Sequence, residues 1–293
     1  MNNSPIVKAI CPLYNFEISE VIFGDYTREE GLARLKALGK RLELGFEILK
    51  DVRIRRIKKE DIERVKVLRF YDQHIGILHK TTSRTYVIEV LQKQQDVYQA
   101  QLKINNMLLA MRLYQASDIF CKVIWWEMES DVKTITILDS RLPELMGHPY
   151  FIEIDKVEEI RKMAKRIDKI DFGKRVSFRI ACERFSRYYE EHREDEKIID
   201  CMIAFEALFL KGKTATANTG QFIGLGCSML LGRSDEEREE INKFLVEAYK
   251  IRNRIVHGSE FVTPIKLNNK TYEIYEFVFQ LQKYLRESIE KLI

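Results

Sequence analysis

The chain has 293 residues, 45% of them hydrophobic and 32% charged, the composition of a folded globular protein with room for one large domain or two modest ones. Its 49 basic and 45 acidic residues leave a formal net charge of +4, a balance that permits contact with nucleic acid without demanding it. No uncharged run approaches the roughly 20 residues of a membrane-crossing helix, no charged-then-apolar leader opens the chain, and Cys11, Cys121, Cys182, Cys201 and Cys227 form no Cys-x-x-Cys pair, so the expectation is a cytoplasmic protein with buried thiols.

Residues 6–23, β-branched and aromatic but interrupted by Pro12, predict one or two strands. Thr27 with Glu30 three residues on makes a capping-box pattern, opening a predicted helix over Arg28–Leu49. The basic run Arg53–Lys59 reads as a solvated strand edge; the alternative is contact with a nucleic-acid backbone. A helix over Asp61–Tyr71, a strand over Thr85–Leu91 and a long helix over Gln95–Tyr114 follow. Residues 118–140 alternate as a hairpin does, with Trp125 and Trp126 directed to its two faces; either both pack in the core or one is free to stack on a base. A turn-rich segment, Arg141–Pro149, leads to a short strand at Phe151–Ile154 and a helix over Val157–Lys169 whose RKMAKR run is a solvated face. Strands mixed with helices make this half α/β, and a boundary falls near Gly173, after which no further strand is expected.

Four helices are then predicted in succession. Ser177–Glu191 carries an apolar stripe at Phe178, Cys182, Phe185 and Tyr189. Glu196–Leu210 is apolar nearly all round, as a central buried helix is, with Asp200 facing solvent near its start and Glu206 deeper. The loop 211–220 contains Gly-Lys-Thr, yet Ala207 stands where a phosphate-binding loop needs its first glycine and the preceding segment is helical, so that reading fails. Phe222–Leu231 is the third helix. Ser234 caps the fourth with Asp235, Glu236 and Glu237 in its first turn, and Gly258 stops it at His257. A last helix, Tyr272–Leu292, follows Pro264.

The fourth helix delivers Arg252, Asn253, Arg254 and His257 to its own C-terminal end. A guanidinium binds two phosphate oxygens at once and stays charged. An imidazole takes and returns a proton near neutrality, and an amide orients either partner. RNA brings its own nucleophile, the 2′-hydroxyl. These side chains therefore suit phosphodiester cleavage without a metal, although basic residues in a last helical turn also simply complement the helix dipole. At about 100° per residue, Arg252 and His257 stand roughly 140° apart around the helix. They converge only if the helix end unwinds or a second copy of the chain completes the site. The remaining histidines, His74, His79, His148 and His192, show no metal-ligand spacing, and no cofactor motif is present.

Four blocks in order, ACERFSRYYEE, KIIDCMIAFEALFL, GLGCSMLLG and EEREEINKFLVEAYKIRNRIVHG, resemble the Apea-like branch of the HEPN superfamily over Arg179–Glu260. The last block fits that superfamily's Arg-x-x-x-x-His signature at Arg252 and His257, with Asn253 as the polar residue after the arginine, and IAFEALF matches the Glu-bearing helix at Glu206. The expected fold is α+β: a mixed α/β domain over 1–173, from the strand and helix pattern, followed by what the resemblance implies, an all-α, antiparallel HEPN-like bundle over 174–293. It implies a metal-independent endoribonuclease leaving 2′,3′-cyclic phosphate (or 3′-phosphate) and 5′-hydroxyl ends, in a defence, toxin or RNA-processing setting. His257 would be the general acid/base, Arg252 the phosphate clamp, Asn253 a positioning residue, Arg254 a second clamp and Glu206 the group that orients Arg252. It also implies a homodimer with a composite site, RNA as partner and neither cofactor nor metal. The alternative is a non-catalytic dimerisation or sensor module, with the N-terminal domain contacting a protein partner.

Overall fold

The computed structural model describes residues 6–13, 16–19, 45–61, 86–93, 96–116, 119, 121, 123–128, 133–137, 150–153, 156–191, 193–210, 218–259, 263–267 and 270–293. The chain is α+β and divides into two compact units, Met1–Asp168 and Lys169–Ile293. The parts of the expected helices that span 28–44 and 62–71, the turn-rich 141–149 segment and the Gly-Lys-Thr loop lie outside the described residues.

The first unit is built on an antiparallel sheet ordered β3-β4-β5-β1-β6-β7, with β1 at Ile6–Leu13, β3 at Phe46–Leu49, β4 at Val52–Arg56, β5 at Tyr86–Lys93, β6 at Val123–Met128 and β7 at Lys133–Ile137. A separate parallel pair joins β2, Phe16–Ser19, to β8, Tyr150–Glu153. β1 runs unbroken through Pro12: all eight of its residues oppose β5, while its register with β6 covers only Val7–Ile10. Proline is tolerated where no ladder hydrogen bond is asked of it, and Pro12 lies beyond the β6 pairing. Phe46–Leu49, expected as the end of a helix, is strand instead; Gly45, at φ +83, lies against Arg55 and Ile54 of β4, so close that a methyl would meet the Arg55 Cβ at 2.7 Å. Helix α1, Val97–Tyr114, and helix α2, Val157–Asp168, pack on each other and on the sheet. α2 buries Val157, Ile160, Met163, Ala164 and Ile167, the helical spacing of a single apolar stripe. Trp125 and Trp126 are both buried, so neither offers a stacking face.

Two further sequence expectations for this unit are overturned. Cys11 and Cys121 are joined in a disulfide, their Cα atoms 6.4 Å apart, rather than standing as free thiols. Their separation of 110 residues hides a proximity that the pairing of β1 with β6 creates. The basic run is not a solvated edge either: β4 lies inside the sheet, and Arg55 is 2% exposed. Its guanidinium donates to Asp61 Oδ2 at 2.7 Å and to Glu89 Oε2 at 2.8 Å, and Lys8 and Arg53 also approach Glu89. Burial alone would raise both carboxyls, but the hydrogen bonds and charge of Arg55 outweigh it and hold Asp61 and Glu89 below the usual carboxylate range.

The second unit contains α3, Val176–Tyr188; α4, Glu194–Phe209; α5, Thr219–Leu231; α6, Asp235–Val256; and α7, Ile274–Leu292. α3 packs on α4, α5 on α6, α4 on α6, and α7 on α3, α4 and α5. Phe185, Phe205, Phe244 and Phe277 are wholly buried, each contributing roughly 1.5–3 kcal/mol through apolar burial. Strands do recur here: β9, Ile265–Leu267, and β10, Lys270–Tyr272, form a hairpin. Tyr272 packs edge-on to Phe244, which in turn stacks on Phe277 at 4.5 Å. Cys182, Cys201 and Cys227 are buried free thiols. Burial pushes all three up, Cys182 and Cys227 to about 12, so none is a reactive thiolate near neutral pH. No described helix is long and apolar enough to cross a membrane.

Candidate active site

Helix α6 sets the position of every candidate side chain except Glu206. Its start is locked as its sequence predicts: the Glu237 N–H donates to Ser234 Oγ at 3.2 Å, and Asp235, Glu236 and Glu237 occupy the first turn. Ile241, Phe244, Leu245, Ala248 and Ile251 are buried, which fixes the rotation of the helix about its axis. Glycines let α5 approach closely. A methyl at Gly224 would sit 2.2 Å from Asn242 Oδ1, and one at Gly220 would sit 3.1 Å from the Tyr249 ring.

The C-terminal end is a Schellman motif. Gly258, at φ +71, donates its N–H to the Ile255 carbonyl at 3.0 Å, and Ser259 donates to the Arg254 carbonyl at 2.8 Å. The His257 N–H still donates to the Asn253 carbonyl at 3.0 Å, so the helical turn between Arg252 and His257 is intact. Unwinding therefore does not relieve the angular separation of those two side chains.

Arg252, Asn253 and Glu206 come together. Arg252 Nη1 donates to Asn253 Oδ1 at 3.0 Å, and Nη2 lies 3.6 Å from Glu206 Oε1 on α4. The second distance is an ionic contact beyond hydrogen-bond range. The Arg252 side chain is 22% exposed and that of Glu206 26%. Arg252 Cζ also lies 5.8 Å from the centroid of the Tyr249 ring. Arginine has five N–H donors; at Arg252 one is engaged at good distance, and the buried Nε has no hydrogen-bond partner among the described residues. The guanidinium is thus placed without being saturated.

His257 and Arg254 are exposed, and among the described residues no hydrogen bond or ion pair joins the His257 ring to Arg252, Arg254 or Glu206. One chain therefore supplies an Arg–Asn–Glu group and an exposed imidazole, not a joined constellation. The two acids of α4 exchange their expected roles. Asp200 is 5% exposed and accepts from Arg184 Nη1 of α3 at 2.7 Å, with Arg187 at 3.9 Å, while Glu206 is the more exposed of the two. Tyr249 was not anticipated as part of the site, although its place three residues before Arg252 is the i, i+3 spacing that brings helical side chains into contact. No group of three or more His, Cys, Asp or Glu side chains among the described residues is arranged to hold a metal ion.

A scan against protein-family models found no match to this chain, and searches of curated proteins and of solved structures found none either.

Proposed function

We propose that the second unit is an Apea-like HEPN domain and that the protein is a metal-independent endoribonuclease. The observation that carries this reading is the Arg252 guanidinium, seated against Asn253 and Glu206 with donors left over, on the same helix end as an exposed His257. In the proposed reaction the ribose O2′ attacks the adjacent phosphorus, the P–O2′ bond forms and the P–O5′ bond breaks. His257 takes the 2′-hydroxyl proton and returns one to the departing O5′. Arg252 binds the phosphate oxygens as charge builds on them, with Arg254 as a second cation and Asn253 and Glu206 keeping Arg252 in place. Two helix ends meeting across a homodimer would bring the Arg252 of one chain to the His257 of the other.

The Arg252–Glu206 contact is also the observation that favours a second reading, a non-catalytic dimerisation or sensor module in which that pair is purely structural. Purified protein incubated with a mixed RNA pool in EDTA decides between the two. The nuclease reading expects new 5′-hydroxyl and 2′,3′-cyclic phosphate (or 3′-phosphate) ends; intact RNA across the pool removes it and leaves the module.

A further inference from the structure

We propose that Tyr249 is a positioning residue for Arg252, with Gly220 as the seat against which its ring is set; the catalytic consequence rests on the nuclease reading, but the contact itself does not. Three observations meet here. Tyr249 and Arg252 are three apart on α6, so their side chains lie along one face of the helix. The Arg252 Cζ stands 5.8 Å from the Tyr249 ring centroid, within the reach of a cation–π contact. Finally, α5 presents Gly220 to that ring so closely that a Cβ would stand 3.1 Å from Cδ1, 3.2 Å from Cβ and 3.3 Å from Cγ of Tyr249.

The chemistry explains why such a platform matters. The hydrogen bond to Asn253 fixes one end of the guanidinium, but the contact with Glu206 at 3.6 Å leaves the other end loosely held. An aromatic face beneath the cation restrains the plane without consuming an N–H, so the donors needed for a phosphate stay available. A second carboxylate would restrain the plane equally well but would occupy those donors. The glycine matters because any larger residue at 220 would press on the ring and tilt the platform.

The test uses the full chain labelled with ¹⁵N-arginine. The Arg252 Nε is buried, which shields its proton from exchange, so its Nε–Hε resonance should be visible and is assigned by its loss in Arg252→Lys. In the parent protein the Tyr249 ring current should displace that resonance. Tyr249→Phe should keep the displacement, and Tyr249→Leu should lose it. Gly220→Ala, which retains the ring but pushes it, should shift the resonance by a smaller amount and serves if Tyr249→Leu does not fold. In RNA cleavage, Tyr249→Leu should lower kcat about 3- to 10-fold with KM nearly unchanged, and Tyr249→Phe should restore it, the size expected of one cation–π contact. An Arg252 resonance that ignores both Tyr249→Leu and Gly220→Ala overturns the proposal, whatever the protein does to RNA. A parent protein that cleaves nothing removes the nuclease reading and leaves the resonance to decide the contact. A moved resonance with unchanged kcat in an active enzyme overturns the catalytic consequence alone.

Discussion

Arg55 in the first unit and Arg252 in the second both sit beside carboxylates, yet they are opposite in kind. Arg55 is 2% exposed and makes short bonds to two acids, with Nη1 at 2.7 Å from Asp61 Oδ2 and Nη2 at 2.7 Å from Glu89 Oε2. Arg252 has one acid at 3.6 Å, one amide at 3.0 Å and a buried Nε with no partner among the described residues. A buried cation must be saturated, because an unpaired charge in the interior is expensive; a cation that is to bind a ligand must not be. The difference separates a saturated ion cluster from an arginine with donors left over, as the proposed phosphate clamp requires, and it can be tested from both sides.

The largest expected effect is on chemistry in the second unit. On the nuclease reading, His257→Ala removes the proton shuttle and should slow RNA cleavage about 10²–10⁴-fold. On the same reading, Arg252→Ala removes charge stabilisation and should cost about 10²–10³-fold. The double variant should be little slower than the worse single one, since the groups act together. Both variants should keep the parental far-UV circular dichroism, because His257 is the cap of α6 and Arg252 stands just before its last turn. Cleavage by His257→Ala at the parental rate would end the nuclease reading.

Next in size is the effect of Arg55→Met on the first unit. It leaves buried Asp61 with the Lys58 N–H and buried Glu89 with Lys8 and Arg53, and breaking such a cluster costs roughly 3–5 kcal/mol. The two tryptophans of the chain, Trp125 and Trp126, are both on β6 in this unit, so their fluorescence on urea unfolding reports on it alone. Arg252→Ala should leave that transition where it is. A parental midpoint in Arg55→Met would show that the cluster adds nothing.

The same cluster gives the first unit an acid sensitivity. Asp61 and Glu89 titrate lower when folded than when unfolded, chiefly because the hydrogen bonds and charge of Arg55 overcome the effect of burial. A depressed carboxyl stabilises the fold fully above its unfolded pKa, near 4, and that stability is lost as pH falls through the lower folded value. The tryptophan-reported midpoint should therefore hold steady down to about pH 5 and fall below it. In Arg55→Met the fall should be shallower. An equal slope in the two proteins would assign the acid sensitivity to other groups.

These contrasts follow what the sequence could and could not express. Helix α6 was legible almost to the residue, because Ser234, the three acids after it and Gly258 are local signals that act within a turn. Arg55 was not, because its partner Glu89 lies 34 positions away and meets it only through the β4–β5 register. The strands β9 and β10 are three residues each, too short for alternation to show. On α4, Asp200 and Glu206 stand about 120° apart around the axis, so one faces inward more than the other. The surrounding apolar run marks no preferred side, and the choice was made by Arg184 on the neighbouring α3. Asp200→Asn, which removes the charge from that part-buried hydrogen bond, should cost about 1.5–3 kcal/mol at most, read as a lower midpoint by far-UV circular dichroism.

The smallest effect sharpens the comparison most. From sequence, Glu206 reads as a deep acid whose neutralisation would cost as much as breaking a buried pair. In the structure it is about a quarter exposed and 3.6 Å from Arg252, which is the situation of a surface ion pair. Such pairs contribute about 0–1 kcal/mol. Glu206→Gln keeps the shape and removes the charge, so the midpoint of the second unit should move by less than about 1 kcal/mol. If Glu206 holds Arg252 for catalysis, cleavage should fall by more than that stability change explains, and the fall should appear in kcat. On that reading, addition of salt to about 1 M should weaken the parental protein toward the variant, because the Debye length then falls to about 3 Å, shorter than the 3.6 Å contact. A large loss of stability in Glu206→Gln would make this pair resemble Arg55 and its acids and erase the distinction between the two arginines. Unchanged stability together with unchanged kcat would leave Arg252 held by Asn253 and the Tyr249 ring alone.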